Sequence, residues 1–295
     1  MSIAISYLIP SYNHAHYLPL LLESIRLDID RLEVPAEVII IDDGSSDDSQ
    51  AVIEAWSAMH KESFSVITLF QENKGLPVVL NKMIAMAQGT YLRLCASDDI
   101  LIAGSTQKLY EQFKGNAQLR CAFADAIVIN DAGEQTHSSS IAYHGGNVQR
   151  LTNPKWLVKE LIQHWCVAGP SHLMKKSHYE NMHYDVSSTI DDYDLFLSLL
   201  EIPDAIVFIN EHAALYRVHS TNTSKTQNVQ RRIANIKSFL SIIDRYMERK
   251  TLSRYLSSVR YLTKAKIEFL QKNYIKCFLN MSASILCKVK SEFQS

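Results

Sequence analysis

Short apolar runs alternate with helix-forming segments over the first 130 residues, and this alternation restricts the possible folds more than any other feature of the sequence. The run Val38–Ile41 consists of β-branched residues only, which is typical of a strand buried in a parallel sheet. The predicted strands are 3–9, 38–41, 66–70, 91–95 and 122–129, and the predicted helices are 16–29, 48–60, 77–87 and 105–114. Strands that alternate with helices form βαβ units, so we expect an α/β fold with a mostly parallel central sheet.

The regular alternation ends near residue 131. Residues 131–152 contain many turn-forming residues and are predicted to form a hairpin or a mobile loop. The further elements predicted before residue 224 are a helix near 153–165 and strands at 205–209 and 214–218. Between 225 and 295, apolar residues keep helical spacing, which predicts two or three amphipathic helices. We therefore expect a domain at 1–224 followed by a C-terminal α-helical extension at 225–295.

Charge is distributed unevenly along the chain. The net charge is −1, yet residues 1–224 hold 15 Lys and Arg against 27 Asp and Glu, whereas residues 225–295 hold 15 against 4. An acidic domain followed by a basic extension predicts two different partners. The basic pair Arg231-Arg232 is too short, and has too few aromatic residues among its neighbours, to indicate a nucleic-acid partner.

Sequence features that bear on location favour the cytoplasm. No stretch approaches the roughly 18 apolar residues of a membrane-spanning helix, and the N-terminus lacks the basic region of a signal peptide. The five cysteines are odd in number and widely spaced, without a Cys-x-x-Cys motif. Reduced thiols in a cytoplasmic protein are therefore expected, rather than a disulfide framework or a zinc site.

Carboxylates and turn residues follow three of the predicted strands, in the segments Ile9–Asn13, Asp42–Ser45 and Ser97–Asp99. In open α/β sheets, ligands bind at the carboxyl ends of the strands. Each acidic pair alone is compatible with a turn or a helix cap, but adjacent carboxylates repel unless a cation or a donor lies between them. Because Mg²⁺ and Mn²⁺ prefer such oxygen ligands, the convergence predicts a site for a cation and phosphates. His14 and His16 do not share a helical face and are interpreted as surface residues.

A third acidic cluster, at 190–196, opens a predicted helix. Helix capping accounts for Asp191 or Asp194, because the helix dipole favours negative charge in the first turn. His219 ends the last predicted strand and is a candidate third metal ligand, although a single histidine at a strand end is more often structural.

Five segments of the sequence carry a resemblance to a known family. They are Ile9–Asn13, Ile41–Ser46, Gly89–Asp99, Asp191–Leu195 and Tyr216–His219. In this order and spacing they resemble the motifs of the family 2 inverting glycosyltransferases. The resemblance covers about residues 2–224 and implies the GT-A fold, a nucleotide-binding α/β domain.

The resemblance also implies roles for the residues that match the family's nucleotide site. Pro10, Tyr12 and Asp43 would line the nucleoside, with Tyr12 stacking on the base and Asp43 accepting its N–H. Ser97–Asp99 is similar to the family's DXD-like motif, in which Asp98 would contact the ribose or the diphosphate.

The same resemblance implies a metal site and a general base. Asp99 would bind the divalent cation, Mn²⁺ or Mg²⁺, and His219 matches a histidine that reaches the diphosphate or the metal. Asp192 matches the aspartate that acts as general base. The sequence departs from the family where Asp191-Asp192 replaces a Glu-Asp pair and where Leu80-Asn81 replaces Arg-Asn. No segment after residue 225 matches a family motif.

The expected reaction is an inverting transfer from a nucleotide-sugar, expected to be a UDP-sugar, to a hydroxyl of a glycan or a lipid-linked acceptor. Such a displacement needs a base on one face of the sugar and neutralisation of the departing diphosphate on the other, for which Asp192 and a metal at Asp99 are suited. The resemblance implies a setting in bacterial surface-polysaccharide biosynthesis.

Two other functions are compatible with an α/β domain of this kind. A sugar-nucleotide pyrophosphorylase is expected to carry a Gly-rich, basic loop after its first strand, whereas Pro10–His16 contains neither Gly nor Lys. The second alternative is a non-catalytic scaffold or glycan-binding module. The sequence argues against it, because it retains all four candidate carboxylates, Asp43, Asp98, Asp99 and Asp192.

The basic extension at 225–295 has two interpretations. Its Lys and Arg residues lie one helical turn apart in three pairs, Arg245/Arg249, Arg260/Lys264 and Lys272/Lys276. Either the apolar stripe packs on the domain with the charges solvated, or the extension binds an anionic membrane surface at the cytoplasmic leaflet, where lipid-linked acceptors lie. The second interpretation predicts a peripheral protein at the inner face of the plasma membrane.

Overall fold

The computed structural model describes residues 2–179, 182–186, 192–219 and 228–293. The chain forms two compact units. The first unit comprises 1–143, 166–186 and 204–218, and the second comprises 144–165, 187–203 and 219–295. The expected boundary between 224 and 225 lies outside the described residues, so the predicted division at that position stays a prediction.

Within the described residues, the first unit contains a mixed sheet of nine strands. The strands are β1 (Ile5–Ser11), β2 (Ala36–Asp42), β3 (Ser65–Phe70), β4 (Tyr91–Leu94), β5 (Ile100–Leu101), β6 (Cys121–Ile129), β7 (Gln135–His137), β8 (His172–Lys175) and β9 (Ile206–Arg217). Their order is β3-β2-β1-β4-β8-β6-β9-β5, and β7 pairs with β6. β1, β2, β3, β4, β6 and β9 run in one direction and β5, β7 and β8 in the other. The expected α/β fold with a mostly parallel sheet is therefore confirmed.

The helices are divided between the two units. Those of the first unit are α1 (Leu18–Ile29), α2 (Ser49–His60), α3 (Leu76–Met86), α4 (Ser105–Glu111) and α5 (Ser140–Tyr143), with α8 (Lys176–Tyr179) after β8. Those of the second unit are α6 (Val148–Leu151), α7 (Pro154–Gln163), α9 (Asp192–Leu200), α10 (Val229–Tyr246), α11 (Lys250–Leu270) and α12 (Tyr274–Phe293). A short 3₁₀ turn precedes β8. The last three helices confirm the predicted helical C-terminal extension.

The core of the first unit follows the apolar patterns of β2 and α1. Every residue of β2 is buried, as the continuous β-branched run predicts. On α1, the residues that share the apolar face are buried, namely Leu18, Leu21, Leu22 and Ile25. Burial of these aliphatic side chains is the main favourable contribution to folding of this unit.

Gly89 lies just before β4 and in close contact with Ser6 of β1, where a residue with a side chain would not fit. A Cβ atom at this position would lie 2.5 Å from Ser6 Oγ and 2.6 Å from Ser6 N. The Gly89 N–H donates to Ser6 Oγ at 2.9 Å, and Ser6 Oγ donates to the buried carboxylate of Glu37 at 2.6 Å. This contact fixes the start of β4, whose carboxyl end leads to Ser97–Asp99.

The structure differs from the sequence prediction in two places. The sequence does not predict β5 and β8, because each is four residues or shorter and has no repeating apolar pattern. The segments at 205–209 and 214–218 belong to one strand, β9, whose pairing with β6 shifts register around Asp125. Within residues 131–152, β7 forms the predicted hairpin with β6, and the short helices α5 and α6 follow it. Among the described residues, no helix combines the length and the low polarity that a bilayer-crossing segment needs.

Candidate active site

The loops that follow β1 and β2 are joined by hydrogen bonds at one edge of the sheet. The two strands are parallel neighbours that end level with each other, since Ser11 pairs with Asp42. The Asp42 carboxylate accepts hydrogen bonds from Ser11 Oγ at 3.1 Å and from the Ser45 N–H at 2.9 Å. Across the same edge, Asn13 Oδ1 accepts the Ser46 N–H at 2.8 Å. Asp42 therefore stabilises the turn, as is typical of an aspartate in an Asp-x-x-Ser segment.

Asp43 holds the loop between β3 and α3. Its Oδ1 accepts the Lys74 N–H at 2.9 Å and Gln71 Nε2 at 2.8 Å, and its Oδ2 accepts the Gly75 N–H at 2.8 Å. A carboxylate has about four acceptor positions, so the buried Asp43 side chain retains capacity for one further donor. The N–H of a nucleobase is a donor of this kind.

The other two residues predicted to line a nucleoside lie at the end of β1. Pro10 is the penultimate residue of the strand and pairs with Ile41 of β2. Tyr12 follows the strand, and 49% of its surface is exposed. An exposed aromatic ring at this sheet edge offers a surface on which a base can stack. The contacts of Pro10, Tyr12 and Asp43 with a nucleoside stay predictions.

Asp98 and Asp99 are held by Arg217, the last residue of β9. Asp99 Oδ1 accepts the backbone N–H of Arg217 at 2.7 Å, and the carbonyl of Asp98 accepts Arg217 Nε at 2.7 Å. Asp99 and Arg217 are almost completely buried, with 2% and 1% of their surfaces exposed. Both carboxylates thus belong to a fixed loop rather than to a solvated turn.

The same guanidinium also fixes the turn after β6. Arg217 Nη1 donates to the carbonyls of Asn130 and Asp131, each at 2.9 Å. The centroid of the Tyr17 ring lies 4.8 Å from the guanidinium carbon, and the Tyr17 hydroxyl donates to the Asp131 carboxylate. Burial and the bond to Asp131 raise the pKa of Tyr17 to about 12. The sequence pattern assigns no role to Arg217, although an arginine at the end of a predicted strand is compatible with a buried partner.

The environment of Asp99 disfavours its negative charge. Burial raises the pKa of Asp99 well above the usual range, and the nearby charge of Asp98 raises it further, while the N–H and the charge of Arg217 act in the opposite direction. A cation beside this carboxylate would offset both unfavourable effects. The residues present therefore fit a bound divalent cation.

His14 contributes a nitrogen donor beside the acidic pair. Its Nδ1 shares a hydrogen bond of 2.7 Å with Ser97 Oγ, and a ring nitrogen lies within 4.8 Å of an Asp98 carboxylate oxygen. His14 is thus half-buried and has a polar partner, whereas His16 is exposed, as interpreted from the sequence. No local sequence pattern could have found this contact, because it joins loops 83 residues apart.

Asp192, the predicted general base, begins α9 in the second unit. Trp165 Nε1 donates to Asp192 Oδ2 at 3.3 Å. The indole ring packs against Tyr193 and Phe196, with ring centroids 5.5 Å and 4.7 Å away. The Trp165 ring is therefore fixed by packing and positions one oxygen of the Asp192 carboxylate. The role of Asp192 as base stays a prediction.

Three further residues are candidates from the sequence, namely Asp191, Asp194 and His219. Asp194 lies in the first turn of α9, where the helix dipole favours its charge, and its carboxylate accepts a hydrogen bond from Arg245 Nη2 at 2.7 Å. Asp191 lies outside the described residues. His219 follows Val218, the last residue of the first unit, and is buried. The metal-binding roles of Asp99 and His219 stay predictions.

The sequence model of glycosyl transferase family 2 matches residues 6–181. This match covers more than half of the chain, so the protein belongs to glycosyltransferase family 2. Among curated relatives, the glycosyltransferase GlyG of Streptococcus pneumoniae is 26% identical over 238 residues, which cover 77% of this chain and 75% of GlyG. The chondroitin synthase of Escherichia coli is 24% identical over 272 residues, 90% of this chain but 36% of the synthase.

A similar solved structure is that of the mannosyltransferase PcManGT from Pyrobaculum calidifontis, determined in complex with GDP-Man and Mn²⁺. It superposes with a TM-score of 0.63 at 13% sequence identity, covering 97% of this chain and 76% of PcManGT. At this identity the likeness shows the fold alone. The expected GT-A fold is thereby confirmed.

Proposed function

We propose that this chain is an inverting glycosyltransferase that moves a sugar from a nucleotide-sugar to a hydroxyl of a glycan or a lipid-linked acceptor, in the synthesis of a bacterial surface polysaccharide. The observation that carries the proposal is the buried Asp98-Asp99 pair, fixed by Arg217 beside His14. Membership of the family and the likeness to a polysaccharide synthase support the class of reaction and its setting.

The loops after β1, β2 and β3 would bind the nucleoside. Asp43 would accept the base N–H with its remaining acceptor position, and the exposed ring of Tyr12 would stack on the base beside Pro10. Family resemblance favours uridine, so a UDP-sugar is the expected donor. Because the PcManGT complex holds GDP-Man, the experiment must compare nucleotide-sugars that carry different nucleobases.

Asp98, Asp99 and His14 would hold the divalent cation, and His219 is the further ligand predicted from the sequence. Carboxylate oxygens suit Mg²⁺ and Mn²⁺, and an imidazole nitrogen among the ligands favours Mn²⁺ of the two. When bound, the cation would neutralise charge that develops on the departing diphosphate. Mn²⁺ in the PcManGT complex supports this proposal.

Asp192 would take the proton of the acceptor hydroxyl. As that proton moves to the carboxylate, the acceptor oxygen would bond to the anomeric carbon while the bond to the diphosphate oxygen breaks. A single displacement of this kind inverts the anomeric configuration. The bond from Trp165 to Oδ2 would keep the carboxylate in a fixed orientation while the proton is transferred.

Thermal unfolding with UDP-, GDP- and dTDP-sugars, each with and without Mn²⁺, tests the donor site. A ligand at 100 times its Kd stabilises the folded state by about 2.7 kcal/mol, which is readily measured. We expect one nucleotide-sugar to stabilise the protein, more strongly with Mn²⁺. Asp99→Ala should remove the effect of the metal, whereas Asp43→Ala should weaken nucleotide binding with or without it.

Product analysis tests the reaction. We expect release of nucleoside diphosphate, loss of transfer in EDTA, recovery with Mn²⁺ or Mg²⁺, and a product of inverted configuration by NMR. Release of pyrophosphate from a nucleoside triphosphate would instead support the pyrophosphorylase, and nucleotide binding without turnover would support the non-catalytic module. Full transfer in EDTA would contradict the metal site.

A further inference from the structure

Helix α12 presents its large apolar side chains outward and its small side chains inward, the reverse of an ordinary surface helix. Within residues 274–291, the part of this helix whose burial the structure describes, the buried residues are Cys277, Ser284 and Ser291. Ser284 Oγ donates to the carbonyl of Ser258 on α11 at 2.7 Å, which fixes this face against the neighbouring helix. The small side chains therefore mediate the packing of α12 on α11.

The opposite face of α12 is mainly apolar. Its exposed members recur at helical spacing, and they are Ile275, Phe278, Leu279, Ile285, Leu286 and Val289. Ile275 and Phe278 expose 81% and 70% of their surfaces. Phe269 at the end of α11 extends the surface through its ring contact with Tyr274. Soluble monomers rarely expose contiguous apolar patches larger than a few hundred Å², so a helix face that carries six large exposed apolar side chains marks an interaction site.

Lysines border this apolar face on both sides. On a helical wheel, Lys276 and Lys290 lie along one edge of the apolar sector and Lys288 along the other, and all three are exposed. No acidic residue occurs between 274 and 291. An apolar sector with lysines at its edges is the pattern of a helix that lies in the surface of an anionic bilayer.

Charge also argues against a second copy of the chain on this face. In a two-fold contact the same surface meets itself, so lysines would face lysines without an acidic partner. An anionic lipid layer supplies the complementary charge to every lysine at once. The charge distribution thus favours a lipid surface as the occupant.

Three arginines of the predicted basic pairs form ion pairs within the second unit. Arg245 pairs with Asp194 at 2.7 Å, Arg249 with Glu201 at 3.4 Å, and Arg260 with Asp244 at 2.5 Å. Three members of the predicted basic pairs are therefore neutralised by acidic residues of their own unit. This moves the candidate membrane surface from the whole extension to α12.

The structure thus assigns to α12 the role of an interfacial membrane anchor. The helix, about 30 Å long, lies in the plane of an anionic leaflet with its apolar face among the upper acyl chains and its lysines against lipid phosphates. The inference deepens the proposed function and rests on it for its purpose, because a lipid-linked acceptor is presented at a bilayer surface.

Co-sedimentation with vesicles tests the anchor. The full chain should bind vesicles that contain phosphatidylglycerol more strongly than vesicles of phosphatidylcholine alone. Phe278→Ser with Leu286→Ser should weaken binding by about tenfold for each side chain removed. The matched control, Leu20→Ser with Met59→Ser, changes two exposed apolar residues of the first unit and should bind as the unchanged protein does.

A second variant tests the charges. Replacing Lys276, Lys288 and Lys290 by Gln should reduce the preference for anionic vesicles by about fivefold for each lysine. Absence of binding to anionic vesicles at low salt, or unchanged binding of the Phe278/Leu286 variant, would overturn the inference. The inference would also be wrong if light scattering without vesicles shows that the unchanged protein is a dimer and that the Phe278/Leu286 variant is a monomer.

Nucleotide-sugar binding in vesicle-free buffer separates this inference from the proposed function. The α12 variants should bind the donor with unchanged affinity, which also shows that they are folded. Loss of vesicle binding with intact donor binding in the variants is the expected result. If the unchanged protein binds vesicles but no nucleotide-sugar, the proposed function fails while the anchor stands.

Discussion

A single substitution at Asp192 tests whether this carboxylate is the general base. Asp192→Asn keeps the shape of the side chain and its contact with Trp165 but removes the proton acceptor. We expect kcat to fall by roughly 10²–10⁴-fold with little change in nucleotide affinity. Steady-state kinetics and donor titration measure the two quantities separately.

Asp194 is the matched control for this substitution. It lies on the same helix, but its carboxylate is paired with Arg245, so Asp194→Asn should lower stability slightly and leave kcat within a few-fold. If Asp192→Asn has a mild effect on kcat and Asp191→Asn a severe one, the general base is Asp191 and the assignment of Asp192 is wrong. Retention of anomeric configuration would contradict it altogether.

At the scale of the element, β9 positions the acidic loop through Arg217. Arg217→Lys keeps the charge but cannot reproduce the guanidinium's bonds to three carbonyls. We expect the affinity for Mn²⁺ and kcat/KM to fall at least tenfold, because Asp98 and Asp99 lose their fixed orientation, with a cost of about 1–3 kcal/mol in stability. A manganese titration followed by electron paramagnetic resonance measures the first effect.

Arg120→Lys serves as the control for Arg217→Lys. Arg120 precedes β6 and makes one long side-chain bond, from Nη1 to the Ala117 carbonyl at 3.5 Å. Its replacement should leave metal affinity unchanged. If Arg217→Lys loses stability but keeps full affinity for Mn²⁺, then Arg217 supports the fold and does not position the site.

The contact between β4 and β1 predicts that Gly89 tolerates no side chain. In Gly89→Ala the new Cβ would meet the backbone of Ser6 as well as its hydroxyl, so β1 or β4 must shift. We expect a loss of about 3 kcal/mol or more in the free energy of unfolding, at or above the upper end of ordinary overpacking. Urea unfolding measures it, and Gly169→Ala, whose Cβ would have no neighbour within 4 Å, should be nearly neutral.

For the whole molecule, the sequence predicts what depends on local pattern. The apolar runs of β2 and the apolar face of α1 identify buried elements, because hydrophobic spacing is a property of adjacent residues. β8 has no such pattern and is a strand because it lies between β4 and β6. Likewise, Arg217 and His14 acquire their partners from loops distant in the sequence, and no local pattern records these contacts.

The orientation of α12 is a further case in which pattern alone was insufficient. Apolar spacing predicts a helix with one apolar face, and an apolar face ordinarily points inward. Here the small residues Cys277 and Ser284 occupy the inward face, and only the packing against α11 reveals it. The excess of positive charge after residue 225 indicated a second partner but not which surface would meet it.

The two compact units predict two separate footprints in hydrogen exchange, measured by mass spectrometry. Ligand binding slows exchange where it suppresses local opening. A nucleotide-sugar with Mn²⁺ should protect the loops at 42–49, 71–75 and 95–99 of the first unit and leave 274–290 unchanged. Anionic vesicles should protect 274–290 and leave those loops unchanged. If vesicles protect α10 and α11 instead of α12, the membrane surface lies on those two helices and the inference about α12 is wrong. If the nucleotide-sugar protects only the second unit, the donor site does not lie at Asp43, Asp98 and Asp99.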